Sequence, residues 1–166
     1  MNEPFEIGLI GGVEKRDISV VDYDPTWPDT FLKHQNIIKQ AVGDTALAIE
    51  HIGSTAVQGS AAKPIIDILV VVEDPSREGL YLPLLIAAGY ELRVREPDFD
   101  QHRMVRSKNK DVHIHIFPPT SVEVEQYRLV RDELRQNEEL RKKYGTTKKE
   151  LASREWSDMN AHSAAK

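Results

Sequence analysis

Residues 65–72, IIDILVVV, restrict the fold of this chain more than any other stretch. Seven of the eight are Ile, Leu or Val. Such a run suits a strand buried on both faces near the centre of a sheet. The exception is Asp67. An unpartnered carboxylate in that setting is costly, so Asp67 needs a metal, another cation or several N–H groups. Two plainer roles are a cap on the preceding loop and an ion pair with Lys63. Upstream, a second apolar stretch ends in Gly53-Ser54, followed by small residues up to Lys63-Pro64. Gly53 lets a ligand approach the backbone, and Ser54 adds a hydroxyl. A turn of this kind can cradle phosphate oxygens.

The flanking segments predict an α+β fold, a mixed sheet packed by helices, with strands in the first two thirds and helices behind. Residues 18–23 read as a short strand. Asp24-Pro25 reads as an N-cap with proline at the first helical position. Trp27, Phe31, Ile38 and Val42 mark one helical face, stopped at Gly43. Residues 45–51 read as a strand. Asp74-Pro75 repeats the cap signal, with a helix to about Ala88. Residues 90–95, 102–107 and 111–117 read as strands, the last two joined by a turn at Lys108-Asn109-Lys110. Thr120-x-x-Glu123 and Thr147-x-x-Glu150 are capping boxes for two C-terminal helices. Helical character continues to Lys166, with no C-cap signal. Residues 1–17 form a flexible arm, and 18–166 form a single domain. GLIGG in the arm lacks the spacing of a phosphate-binding turn.

The 166 residues suffice for one domain with a real core. A net charge of -5 argues against a general nucleic-acid binder. Cysteine is absent, which excludes disulfides and thiolate metal sites. No apolar run is long enough to span a bilayer, and the N-terminus has no signal-peptide pattern. A cytoplasmic location is expected.

Strand alternation places Asp111, His113 and His115 on one face, opposite Val112, Ile114 and Ile116. Two imidazoles at i and i+2 can share a metal or ligand. A half-exposed strand with a polar face is the plain alternative. His51 is read as a strand-end hydrogen bonder, His34 and His162 as surface residues, and His102 receives no role. Arg93, Arg95, Arg103, Arg106, Lys108 and Lys110 would suit a compact polyanion. A charged, protected sheet edge explains them equally. Arg128, Arg131 and Arg135 form one helical stripe, with Leu129, Val130 and Leu134 as the apolar side. The stripe faces either solvent or a phosphate cleft.

Several ordered motifs carry a resemblance across residues 20–166. They are Tyr23-Asp24-Pro25-x-Trp27-Pro28, His51-Ile52-Gly53-Ser54-Thr55-Ala56-Val57 and Ala61-Ala62-Lys63-Pro64-Ile65-Ile66-Asp67-Ile68. His113-x-His115, Arg131-Asp132-x-Leu134-Arg135 and Tyr144-x-x-x-Lys148 follow. Together they resemble the GrpB family of the nucleotidyltransferase superfamily. The resemblance implies a polymerase-β-like fold with a Gly-Ser turn facing an Asp-x-Asp carboxylate pair. A third carboxylate comes from a later strand, and the carboxylates hold divalent metal, normally Mg²⁺. Gly53 and Ser54 match the turn, and Asp67 the first carboxylate. Lys63 and Arg131 would join Gly53 and Ser54 in holding a nucleoside triphosphate or other small polyanion.

The departures fall on the metal ligands. Leu69 stands where the second carboxylate belongs, and His113 and His115 where the third does. Gln58 and Ser60 replace the family's usual Pro and Leu. Hard Mg²⁺ prefers oxygen donors, whereas Asp with His suits Zn²⁺, Mn²⁺ or Fe²⁺. The expectation is a metal on Asp67 and His115, with Asp67, His113 and His115 catalytic. It would transfer a nucleotidyl group to an unknown small acceptor. The alternatives are a non-catalytic nucleotide- or metabolite-binding module on a degenerate fold, and metal-assisted phosphate-ester hydrolysis. No membrane or nucleic-acid partner is expected.

Overall fold

A computed structural model describes residues 8–12 and 19–157, and of these all side chains except 148, 149 and 151–157. In chain order the elements are α1 (Trp27–Val42), β1 (Ala48–Ile52), β2 (Ile66–Val71), α2 (Leu82–Ala87), β3 (Tyr90–Glu96), β4 (His102–Ser107), β5 (Val112–Phe117), α3 (Val122–Gln136) and α4 (Glu138–Ser157). The strands form one sheet in the order β1-β2-β5-β4-β3. β2 and β5 run parallel and the other pairs antiparallel. The chain is α+β with a mixed sheet, as its sequence pattern predicts.

The apolar run does become a central strand, buried on both faces. Ile66, Ile68 and Val70 join Val112, Ile114 and Ile116 in the larger core, beneath Trp27, Ile38 and Val42 of α1. Leu69 and Val71 join Ile52, Phe117 and Val124 in a second cluster on the opposite face. That second face carries α3, and it also carries Asp67, His113 and His115.

Four local readings need correction. Asp24 does not cap α1, because its Oδ1 accepts from Thr26 N and Oγ1 at 2.8 and 2.7 Å. Pro28, not Pro25, lies in the first turn. Asp74 does the same with Ser76, at 3.0 and 2.6 Å, and α2 begins only at Leu82. In both places the carboxylate closes a turn on the residue two positions on, a common use of Asp. The cap of α3 is Ser121, whose Oγ accepts from Glu123 N at 3.2 Å, rather than Thr120. α4 begins at Glu138, where Asn137 Oδ1 accepts from Leu140 N at 2.9 Å. Thr147 lies inside that helix, donating to Lys143 O at 2.9 Å.

The expected first strand starts at residue 18, outside the described residues. Within 19–23 only an isolated bridge forms, Val21 with Ala62. Residues 8–12 lie along β3, with Ile10 N donating to Arg93 O and Arg95 N to Gly8 O, each at 2.7 Å. Residues 158–166, with His162 and the uncapped end, lie outside the described residues. No described helix is long and apolar enough to cross a membrane.

Candidate functional site

The parallel register of β2 and β5 sets Asp67 opposite His113 and Leu69 opposite His115. Alternation turns these side chains away from the larger core. His115 Nε2 lies 3.2 Å from Asp67 Oδ1, and His113 Nδ1 lies 4.0 Å from the same oxygen. One donor atom from each of the three falls within 4.8 Å of the others. All three residues are partly exposed, so a ligand can reach them. Asp111 shares the parity but precedes β5, and its carboxylate accepts from Ser107 Oγ at 2.7 Å.

Gly53 ends β1 at φ 75° and ψ -174°, a backbone region that essentially only glycine occupies. A Cβ there would stand 2.9 Å from Asp67 Oδ2. The glycine therefore makes the sharp turn and clears room for the carboxylate. Buried Ser54 follows and lines two clefts. One, of about 140 Å³, also exposes Lys63, Asp67 and His113. The other, of about 230 Å³, runs beneath α3 past Tyr127 and Arg131. Gly53, Ser54, Lys63, Asp67, His113 and His115 thus gather in one region. Arg131 stands on the second cleft, with Nη1 on Glu50 Oε1 at 3.1 Å and Nε on Asp132 at 2.9 Å.

A chain of partners reaches the site from β3 and β4. Glu96 Oε1 lies 2.7 Å from His102 Nδ1, and His102 Nε2 lies 3.3 Å from His115 Nδ1. His102 is buried and stacks on Phe117 with ring centroids 4.5 Å apart. Burial lowers the His102 pKa, against the pull of Glu96, so the neutral ring is favoured. His115 thus has a polar neighbour at each ring nitrogen, His102 at Nδ1 and the Asp67 carboxylate at Nε2, which fixes the orientation of its ring.

Sequence alternation alone does not place Glu96 here. The β3–β4 register shifts between Leu92 and Val94. This bulge at Arg93 moves Glu96 onto the face of His102, its cross-strand partner. Buried Arg93 points elsewhere, donating to the carbonyls of Ile10 and Gly12 at 2.7 and 2.5 Å. His102, by contrast, shares its strand parity with Met104, which pairs with His115. The hairpin turn could have revealed it. His51 behaves as read, with Nε2 2.9 Å from Thr55 Oγ1 and its ring stacked on Phe31.

Leu69 is fully buried in the second core cluster. The place of a second carboxylate is therefore apolar interior. Beside it on β1 stands Glu50. Glu50 Oε2 accepts from Arg128 Nε at 2.8 Å and from Arg128 Nη2. Burial would raise the Glu50 pKa, but the Arg128 and Arg131 hydrogen bonds outweigh it and hold the carboxyl below its ordinary value. Neutralised by two guanidinia, Glu50 does not replace the missing ligand.

The two arginine groups also have protein partners. Arg128 and Arg131 meet Glu50, and Arg135 Nε donates to Ala56 O at 3.0 Å. The two faces are only partly as read: Leu134 is buried, but Leu129 and Val130 are exposed at 61% and 50%, and of the three arginines Arg131 has the most buried side chain. On the hairpin side, Arg95 and Arg103 share Glu78, and Arg106 meets Glu91.

Comparison with known proteins agrees with this architecture. The model of the GrpB protein family matches residues 17–166. This chain belongs to the GrpB family. A UPF0157 protein of Streptomyces coelicolor is 46% identical over 160 residues, covering 96% of this chain and 84% of that protein. The crystal structure of conserved protein GrpB from Enterococcus faecalis superposes with a TM-score of 0.77 at 34% identity, covering 86% of this chain and 88% of that one. A Mycobacterium tuberculosis dephospho-CoA kinase is 45% identical over 74 residues, covering 43% of this chain but 18% of the kinase.

The donor set tests which metal this GrpB chain could hold. One carboxylate and two imidazoles fit a single borderline ion such as Zn²⁺, Mn²⁺ or Fe²⁺. A pair of Mg²⁺ ions needs more oxygen donors, and Leu69 offers none.

Proposed function

We propose that this protein is a metal-dependent nucleotidyltransferase-like protein that binds a nucleoside triphosphate. The observation that carries the reading is the convergence of Asp67, His113 and His115 beside the Gly53-Ser54 turn. Asp67 and His115 would hold one divalent ion, with His113 as third donor or as a base for the acceptor. Such an ion would neutralise charge at a reacting phosphate. The Gly53-Ser54 turn and Lys63 would orient the phosphates, a role supported by their nearness to Asp67. Arg131 borders the adjoining cleft, but its Nη1 and Nε already meet Glu50 and Asp132, so it would contribute there only as a guanidinium shared with two carboxylates. The M. tuberculosis relative bears the name of a kinase, which links a related segment to a chain named for phosphoryl transfer.

A second reading rests on Leu69. With that position in the core, the site has a single acidic donor, which suits a binding module without chemistry. Incubation with nucleoside triphosphates, candidate acceptors and Mn²⁺ or Zn²⁺ separates the two. The transferase reading predicts pyrophosphate release that Asp67→Asn abolishes without unfolding the chain. Nucleotide binding without metal dependence or product would establish the second reading instead.

A further inference from the structure

Residues from three of the sequence motifs that have no task in the metal site, Tyr23 and Pro28, Ala56, and Arg135, meet on the other flank of the loop that carries Ser54. Tyr23 and Pro28 of the first motif, Ala56 to Gly59 of the loop, and Arg135 and Arg141 of the C-terminal helices border a groove of about 760 Å³. An adjoining groove of about 550 Å³ shares Tyr23, Gly59 and Arg141, and adds Lys142 and Thr146. The motif residues come from positions more than one hundred residues apart, from Tyr23 to Arg135.

The charge of these grooves runs against that of the chain. Arg135, Arg141 and Lys142 face them, with Asp22 the one acid among the lining residues, in a protein of net charge -5. Lys142 pairs with Glu138 at 3.2 Å, and Arg135 Nη1 lies 4.0 Å from Asp132 Oδ1, a longer contact, so Arg141 and the more loosely paired Arg135 carry the argument. Both are held in place. Arg135 Nε donates to Ala56 O at 3.0 Å. Arg141 Nη1 donates to the carbonyls of Leu134 and Arg135 at 3.2 and 3.3 Å, closing the end of α3. A guanidinium fixed along one edge offers its other N–H groups at a set angle, which is how arginine recognises phosphate. Gly59, at φ 82°, takes a backbone conformation that favours glycine and lies beside Arg141, and buried Gly145 of α4 lies beside Ala61.

We infer that this groove is a second binding site, for the phosphate group of a soluble small molecule. It lies on the Ala56–Ala61 flank of the loop, whereas Asp67 and His113 open on the Ser54–Lys63 flank. It uses no metal ligand.

Titration of the ¹⁵N-labelled full chain with pyrophosphate in metal-free buffer tests it. The expected result is saturable shifts of the Gln58, Gly59, Gly145 and Thr146 amides. Arg135→Gln and Arg141→Lys should each weaken binding about tenfold or more, the loss expected for a charged hydrogen bond. Arg135→Gln is the safer variant, because Arg141 also ties α3 to α4. Asp67→Ala should bind unchanged, and failure of the metal site would not affect this outcome. Non-saturating shifts, shifts confined to Gly53, Ser54 and Lys63, or binding unaltered by Arg135→Gln would overturn the inference.

Discussion

Gly53 and Asp67 are in van der Waals register, so close that a single methyl group at position 53 would stand 2.9 Å from Asp67 Oδ2. The contact links the turn to the carboxylate across 14 residues of sequence, because β1 and β2 pair and bring Ile52 opposite Asp67. Gly53→Ala should therefore do two things. Its backbone strain should cost about 1–3 kcal/mol, read as a fall in denaturation midpoint. It should also displace Asp67 and weaken metal binding, which a surface Gly→Ala change such as Gly79→Ala should not do. Gly79 has open space around it.

Position 69 offers a sharper test of whether the site could take a second carboxylate. Leu69 is fully buried with Phe117 and Val124. Placing a carboxylate there by Leu69→Asp should not add a metal ligand. It should bury an unpaired charge and destabilise the fold by about 3 kcal/mol or more. Chemical denaturation checks the loss, and a stable variant binding two ions per chain would contradict it.

On the proposed metal reading, Glu96 and His102 would act through His115. Glu96→Ala and His102→Ala should lower metal affinity about 10–100-fold, as removal of partners behind a ligating imidazole does elsewhere. Competition with a chelating dye gives the affinity. Because His102 also packs on Phe117, Glu96→Ala is the cleaner variant. Its ¹⁵N spectrum should show a changed His102 Nδ1 signal, the ring nitrogen that faces Glu96, a change that lost packing alone would not produce.

His51 gives a pH signature. Burial, with Arg135 behind it, lowers its pKa from the ordinary 6.5 to about 4, against a weaker pull from Asp67. The unfolded chain takes up this proton first as pH falls. Stability is then full above pH 6.5 and declines as pH drops through that range toward 4. The contribution is on the order of 3 kcal/mol. Unfolding curves for the wild type should slope through this window, and those for His51→Gln should slope less.

Much of this was legible in the sequence. The β-branched run at 65–72 announced the central strand, and period-two alternation at 112–117 put both histidines on the face of Asp67. Gly-Ser read correctly as a turn beside that carboxylate. What stayed hidden depends on tertiary geometry. Glu96 reaches the site only because a bulge at Arg93 changes the parity of β3. Glu50 and the α3 arginines found each other only once β1 lay beside β2 under α3. The two Asp-Pro signals misled because Thr26 and Ser76 offered nearer partners than a helix N-terminus.

The central claim is that Asp67 and His115 hold one metal ion. Elemental analysis of the purified protein after incubation with Zn²⁺ or Mn²⁺ and gel filtration tests it most directly, on wild type, Asp67→Ala and His115→Ala. The account predicts about one equivalent of metal in the wild type and none in either folded variant, as expected when a site with few donors loses one of them. Wild-type protein that retains no metal, or variants that retain as much as the wild type, would contradict it.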